Sequence, residues 1–311
     1  MKVSEYMWRW LDERRPDLER STYEAMTVYL GSHICPWFDD HGVALEDLRP
    51  LDIKNFATYQ RAHGRQDGRG SELSPDTIRK YLHILRQAFN DAVLYELIPS
   101  NPADPVKLPR KRSISRAAQF VPVEDARAIL AAFKGHALYP VVYLALIYGL
   151  RRSEVLGLQW GAIDCRLHTL TIRHTVVKGL SIEAKDRTKT ESSRRIYPLL
   201  PEVEQLLAPM RKGASDAAYV FARSDGTPLR PDSVTRGFQR VLKRNQLPPM
   251  RFHDLRHATA SILFDRGWSV PDVQHWLGHS DIETTMNIYV AYNNNRKIRI
   301  GGDLTGLFSE R

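Results

Sequence analysis

Four short stretches of the 311-residue chain concentrate side chains that can do chemistry. In residues 148–160, YGLRRSEVLGLQW, an apolar run ends at Gly149 and is followed at once by Arg151 and Arg152. Ser153 is placed to cap the next helix, with Glu154 in its first turn. An arginine leaving a buried helix end needs a carboxylate partner or an anionic ligand. In residues 251–261, RFHDLRHATAS, His253 and Arg256 are three apart and His257 is four from His253, so a helix puts them on one face. A proton acceptor beside a bidentate guanidinium suits a phosphate. The histidines also allow a metal reading, pairing His253 with His257 and His275 with His279. Against it, no carboxylate stands where an HExxH pattern places one, and an arginine between the ligands repels a cation. Lys189, in DRTKTESSRRIYPL (186–199), lies at a turn before a strand, from which a flexible ammonium can reach out. Finally, LGHSDIETTMNIYVAY (277–292) sets His279 just past a glycine that ends a short helix. Tyr289 follows ten residues later and Tyr292 thirteen. Taken singly, each has an ordinary explanation: an Arg–Glu pair fixing a turn, a solvated loop lysine, an aromatic helix end. Geometry does not choose between the tyrosines, since three residues of helix leave both on roughly one face.

The elements that must position these groups follow from periodicity. Residues 99–116, PSNPADPVKLPRKRSISR, carry four prolines and no helical period, and read as an extended linker. Before it, apolar residues recur at helical spacing over 3–13, 22–38, 52–61 and 74–98, predicting an all-α bundle of four to five short helices. The polar face of the last helix carries Arg79, Lys80 and Arg86. After the linker, helices are expected over 122–133 and 137–149, the latter apolar all round and therefore buried. Strands are expected at 169–177 and 194–199, with a further strand and a turn able to form between them over 178–193, and further helices at 201–210, 233–243, 254–266, 271–277 and 284–289. The expected fold is an N-terminal all-α bundle followed by an α+β unit, mainly helical with a small antiparallel sheet. The net charge of +9 and a pI near 9.5 favour a polyanionic partner. The opening residues lack the apolar core of a signal peptide, no run approaches the roughly 20 apolar residues of a membrane span, and the two cysteines stand in no ligand spacing. Together these point to a reducing cytoplasm.

Arg151, Lys189, the H-x-x-R of His253 and Arg256, His279 in L-G-H, and a tyrosine about ten residues on resemble, in order and in wording, the tyrosine recombinases of the phage-integrase family. The likeness is strong from about 118 to 292, and its texture is nearest to integrases of phages and conjugative transposons. It implies a helical core-binding domain at 1–100, a basic linker at 101–117, a catalytic domain at 118–292 and a C-terminal tail at 293–311. The apolar tail residues Leu304, Leu307 and Phe308 are placed to dock on a neighbouring protomer. Such integrases often carry a further N-terminal arm-binding domain, whereas this chain starts directly at the helical segment.

The resemblance also assigns roles. Arg151 and Arg256 clamp the non-bridging oxygens of a DNA phosphodiester, an electrostatic contribution of roughly 3–4 kcal/mol per donor. Tyr289, at the family's spacing from L-G-H, attacks; Tyr292 packs. His253 helps the phenol, whose pKa is near 10, to lose its proton. His279 donates to a phosphate oxygen, and Lys189 protonates the departing 5′-oxygen, a step worth about 10²–10⁴-fold. Glu154 orients the arginines. The bond energy is kept in a 3′-phosphotyrosine, so the mechanism calls for neither ATP nor a divalent metal and no cofactor. The implied partners are double-stranded DNA, a homo-tetramer assembled on two duplexes from protomers free in solution, and an accessory excision factor. DNA contacts are expected from Arg79, Lys80, Arg86, Lys107, Lys111 and Arg112, mostly to phosphate and therefore salt-sensitive. Two other readings use the same residues: a type IB topoisomerase-like nicking-closing enzyme, and a DNA-binding regulator without catalysis.

Overall fold

The computed structural model describes residues 1–66, 68, 72–107, 121–178, 182–185, 195–278 and 282–304. Contacts cluster into two units, Met1–Ser115 and Arg116–Arg311.

The first unit is helical: α1 (Val3–Glu13), α2 (Arg20–Tyr29), α3 (Cys35–His41), α4 (Pro50–His63) and α5 (Pro75–Leu94). The apolar stripe of α1 is buried at Val3, Tyr6, Met7, Trp10 and Leu11. Helix α5 begins where a Ser-Pro pair permits, because Ser74 Oγ accepts the Thr77 amide at 3.2 Å and Pro75, lacking an amide hydrogen, stands in the first turn. Two bonds join α1 to α5: Tyr6 Oη donates to the Ala88 carbonyl (2.6 Å) and Trp10 Nε1 to Asp91 Oδ2 (2.7 Å). The continuous helix expected over 22–38 is instead broken by a π-helical turn, Leu30–Ile34. Pro36 causes the break, since it has no amide to offer the Ser32 carbonyl four residues back. Side chains take up carbonyls of this turn: Gln66 Nε2 donates to Ser32 O (3.0 Å) and Gln60 Nε2 to His33 O (2.8 Å).

The beginning of the expected linker is not extended. Residues 99–106 form turns folded against α5, with Ala103 fully buried. Arg86 holds them there, its Nε donating to Ala103 O (3.1 Å) and its Nη2 to Val106 O (2.6 Å). Arg86, expected as a DNA contact, serves here as a clasp within the helical unit. Lys107 is exposed at the end of these turns, whereas Lys111 and Arg112 lie outside the described residues.

The second unit opens with α6 (Val123–Phe133), α7 (Tyr139–Ile147) and the short α8 (Arg152–Leu156). Strands β1 (Ile163–Asp164), β2 (Thr169–Ile172), β3 (Thr175–Lys178), β4 (Ile182–Lys185) and β5 (Arg195–Pro198) follow. Last come α9 (Pro201–Arg211), α10 (Pro231–Arg244), α11 (Asp254–Asp265), α12 (Val270–Leu277) and α13 (Ile282–Leu304). The order β1-β2-β5 makes one antiparallel sheet, with Leu170 opposite Tyr197, and β3 and β4 pair separately. The strand expected over 169–177 is thus two strands in two sheets. Between them, the His174 carbonyl comes so near Gly157 that a Cβ there would meet it at 2.5 Å, which pins β3 against α8 and turns it away from β2.

Helix α7 is buried at Val141, Val142, Leu144, Ala145 and Leu146, as its apolar surround requires. Helix α11 lies centrally, contacting α6 and α7 on one side and α12 and α13 on the other. The helix expected over 284–289 is much longer: α13 continues through the segment expected as a tail as far as Leu304. Leu307 and Phe308 lie outside the described residues.

Candidate active site

The site is built on a buried carboxylate. Glu154 is the third residue of α8, and its Oε2 accepts the Arg151 amide at 2.8 Å, closing the first turn of the helix. Arg151, not Ser153, is therefore the N-cap of α8. The same carboxylate is held from two sides by guanidinium groups: Arg151 Nη1 reaches Oε1 at 2.6 Å and Arg195 Nη2 reaches Oε2 at 2.7 Å. Burial would raise the pKa of Glu154, which is 2% exposed, but Arg195, Arg151 and Arg256 outweigh it and hold the group ionised below the usual carboxylate range.

Arg256, 1% exposed near the start of α11, donates from Nη1 to the Gly149 carbonyl at 2.7 Å. Arg151 donates from Nη2 to the Gly278 carbonyl at 3.2 Å. Both acceptors lie just past helix C-termini, of α7 and α12, where the helix dipole adds partial negative charge. Both are glycines in the left-handed region, at φ +65°. A Cβ on Gly149 would stand 2.2 Å from Leu277 Cδ2, and one on Gly278 would stand 2.4 Å from Arg195 Nη1. Two turns that only glycine fits thus set the depth of the arginines.

An aromatic wall backs them. Tyr197 Oη donates to the Trp276 carbonyl (2.5 Å), and its ring lies 5.6 Å from the Arg195 guanidinium carbon. Tyr148 Oη donates to Pro198 O (3.0 Å) and accepts the Leu200 amide (3.1 Å). Burial pushes the Tyr197 phenol up to about 12, so it stays protonated as a prop.

His253, exposed at the start of α11, is pushed down to about 4 by partial desolvation and by the neighbouring His257, Arg256 and Arg151. It is neutral at physiological pH and so able to accept a proton. His257 is buried behind it, with Nδ1 3.7 Å from Asp254 Oδ1, and Asp254 is bound in turn by the Arg251 guanidinium at 2.7 Å. The two tyrosines part company on α13. Tyr292 is 6% exposed, with its hydroxyl 3.5 Å from Asp265 Oδ1, as a packing residue would be. Tyr289 is only half-buried and sets its ring edge-on to Phe264, with centroids 5.1 Å apart and two turns of α11 beyond Arg256.

Of the expected residues, the structure brings Arg151, Glu154, His253 and Arg256 together; Lys189 and His279 lie outside the described residues. Sequence reasoning missed Arg195, whose signal is the alternation of β5: Arg195 and Tyr197 point inward, while Ile196 is 69% exposed. It also missed the outer face of α10. Arg236, Arg240, Lys243 and Arg244 are exposed there, opposite buried Val234, Phe238, Val241 and Leu242.

Comparison with known proteins agrees with this arrangement. Residues 119–296 match the phage integrase family, and residues 2–59 match the phage integrase N-terminal SAM-like domain. A tyrosine recombinase XerC-like protein of Caldanaerobacter subterraneus subsp. tengcongensis is 26% identical, over 86% of this chain and 73% of its own. The ICEBs1 integrase of Bacillus subtilis is also 26% identical, over 88% of this chain and 74% of its own. Among solved structures, the Tn1549 transposon integrase in complex with transposon right end DNA superposes with a TM-score of 0.74 at 21% identity, covering 97% of this chain and all of that one. A lambda integrase from a tetramer bound to a Holliday junction gives a TM-score of 0.69 at 17% identity, covering 93% and 77%. The chain belongs to the phage integrase family and is a tyrosine-type site-specific recombinase.

Proposed function

We propose that this recombinase cuts and rejoins DNA through a 3′-phosphotyrosine on Tyr289, integrating or excising a mobile element. The observation that carries the reading is the arginine cluster. Three guanidinium groups surround one carboxylate at the head of α11, leaving uncompensated positive charge suited to a phosphodiester. Arg151 and Arg256 bind the non-bridging oxygens, neutral His253 takes the phenolic proton, His279 donates to the phosphate, and Lys189 protonates the leaving 5′-oxygen. The helical unit serves as the core-binding domain, with Arg79, Lys80 and Lys107 toward DNA; Lys111 and Arg112 extend that basic run. The basic face of α10 adds phosphate contacts in the catalytic domain. Four protomers act on two duplexes, as in the lambda integrase tetramer on a Holliday junction.

The test uses a duplex that the protein itself selects from a random-sequence pool, nicked near its centre so that a cut strand cannot be resealed. A denaturing gel should show a covalent protein–DNA adduct that is lost in Tyr289→Phe and retained in Tyr292→Phe. The reverse pattern would move the nucleophile. No adduct with either tyrosine intact would favour a DNA-binding regulator, and relaxation of supercoils without recombinants would favour a type IB topoisomerase.

A further inference from the structure

We infer that Arg195 is a positioning residue that matches the charge of the arginine–glutamate cluster to the transition state rather than to the bound DNA. The inference rests on the recombinase reading above. The side chain is 8% exposed, and its three nitrogens are out of reach of solvent. It therefore touches no phosphate and acts through its neighbours. Nη2 stands 2.7 Å from Glu154 Oε2, and Nε and Nη1 have no hydrogen-bond partner among the described residues. The glycine turn at 278 lies directly over it. An arginine so deeply buried and so sparsely bonded is expensive, because each ion taken from water loses several kcal/mol of hydration. Its presence calls for a role that a neutral side chain of the same size could not fill.

Charge counting supplies that role. Arg151 and Arg256 against Glu154 leave one positive charge, and adding Arg195 makes it two. The phosphodiester carries one negative charge. As the Tyr289 oxygen forms its bond to phosphorus and its proton passes to the base, the pentacoordinate centre carries two. The P–O5′ bond then breaks, the 5′-oxygen takes a proton from the general acid, and the phosphotyrosine diester again carries one. A cluster of +2 is thus complementary to the transition state and over-charged for the ground state, and interactions stronger in the transition state are the ones that raise the rate. Arg195 also faces the inner oxygen of Glu154, so that Arg151 meets the carboxylate side chain through Nη1 alone.

The test compares wild type, Arg195→Met, Arg195→Lys and the double variant Glu154→Gln/Arg195→Met on the nicked, self-selected duplex. Adduct formation is timed and DNA affinity is measured separately by fluorescence anisotropy. Arg195→Met keeps the volume and reduces the cluster to +1. It should slow adduct formation by roughly 10- to 100-fold, less than the ~10²–10³-fold for loss of a direct donor, with affinity little changed. Lysine should restore most of the rate. The double variant returns to +2 through Arg151 and Arg256 alone and should be faster than Arg195→Met. A merely structural arginine predicts the opposite order, with the double variant the slowest. Equal losses in affinity and rate, no rescue by lysine, or a double variant slower than Arg195→Met would each overturn the inference while leaving the recombinase reading intact. Absence of any adduct with wild type would overturn both.

Discussion

The helical unit and the catalytic unit treat buried polar groups in opposite ways. In the helical unit, networks close on themselves: Tyr6 and Trp10 on Ala88 and Asp91, Gln60 and Gln66 on the π-turn carbonyls, and Arg86 on the turns after α5. Each of these donors meets an acceptor, although Trp37 Nε1 is buried in the same unit without one among the described residues. In the catalytic unit, Arg151, Arg195 and Arg256 converge on Glu154 and leave charge unmatched. A closed network holds architecture, whereas an unbalanced one reserves a place for an ion from outside.

That contrast can be broken in graded ways. The largest effect is expected for Glu154→Ala, which leaves three guanidinium groups facing one another without their carboxylate. Breaking a buried pair by removing one partner costs about 3–5 kcal/mol, to be read as a lower urea midpoint, and adduct formation should disappear as well. Arg256→Ala should reduce the cleavage rate by about 10²–10³-fold and destabilise less than Glu154→Ala, because relief of cationic repulsion partly offsets the cavity and the unpaired Gly149 carbonyl. If Arg256→Ala instead unfolded the protein as severely as Glu154→Ala, the cluster would be architecture like that of the helical unit. Trp10→Phe removes one closed bond to Asp91, which keeps its ion pair with Arg14 at 3.5 Å, and should cost about 0.5–1.5 kcal/mol with no change in the cleavage rate per folded molecule.

The smallest effect concerns pH. The His253 pKa is lowered in the folded protein, so between its ordinary value near 6.5 and about 4 the unfolded chain binds the proton and the folded chain does not. Stability therefore falls as pH drops through that window. His253→Gln should reduce that slope in denaturant titrations between pH 7 and pH 4, leaving the part due to His257, whose pKa is also lowered by burial, and an unchanged slope would refute the assignment.

Much of the site was legible because its residues are local. Arg151 and Glu154 share one helical turn, as do His253 and Arg256, so spacing alone puts each pair together. The helical bundle was legible for the same reason, through the stripes of α1 and α5. What escaped depends on contacts distant in sequence. Arg195 looks like one more cation in a basic run, and only the inward face shared with Tyr197 marks it as buried. The break between β2 and β3 depends on Gly157 meeting His174, which no strand propensity encodes. Arg86 looked like surface charge because its carbonyl partners lie about 20 residues further on, in a segment read as linker. The π-turn was signalled by Pro36, although the apolar period ran straight through it.

The glycine turn at 278 has a mechanical consequence. Its carbonyl receives Arg151, its missing Cβ makes room for Arg195, and the next residue in the chain is His279. One peptide thus gauges two cations and launches the stretch that leads to Tyr289. Any force that tilts α12 must reach the arginine cluster and the chain leading into α13 together, so on the proposed mechanism the turn couples protein shape to the chemistry.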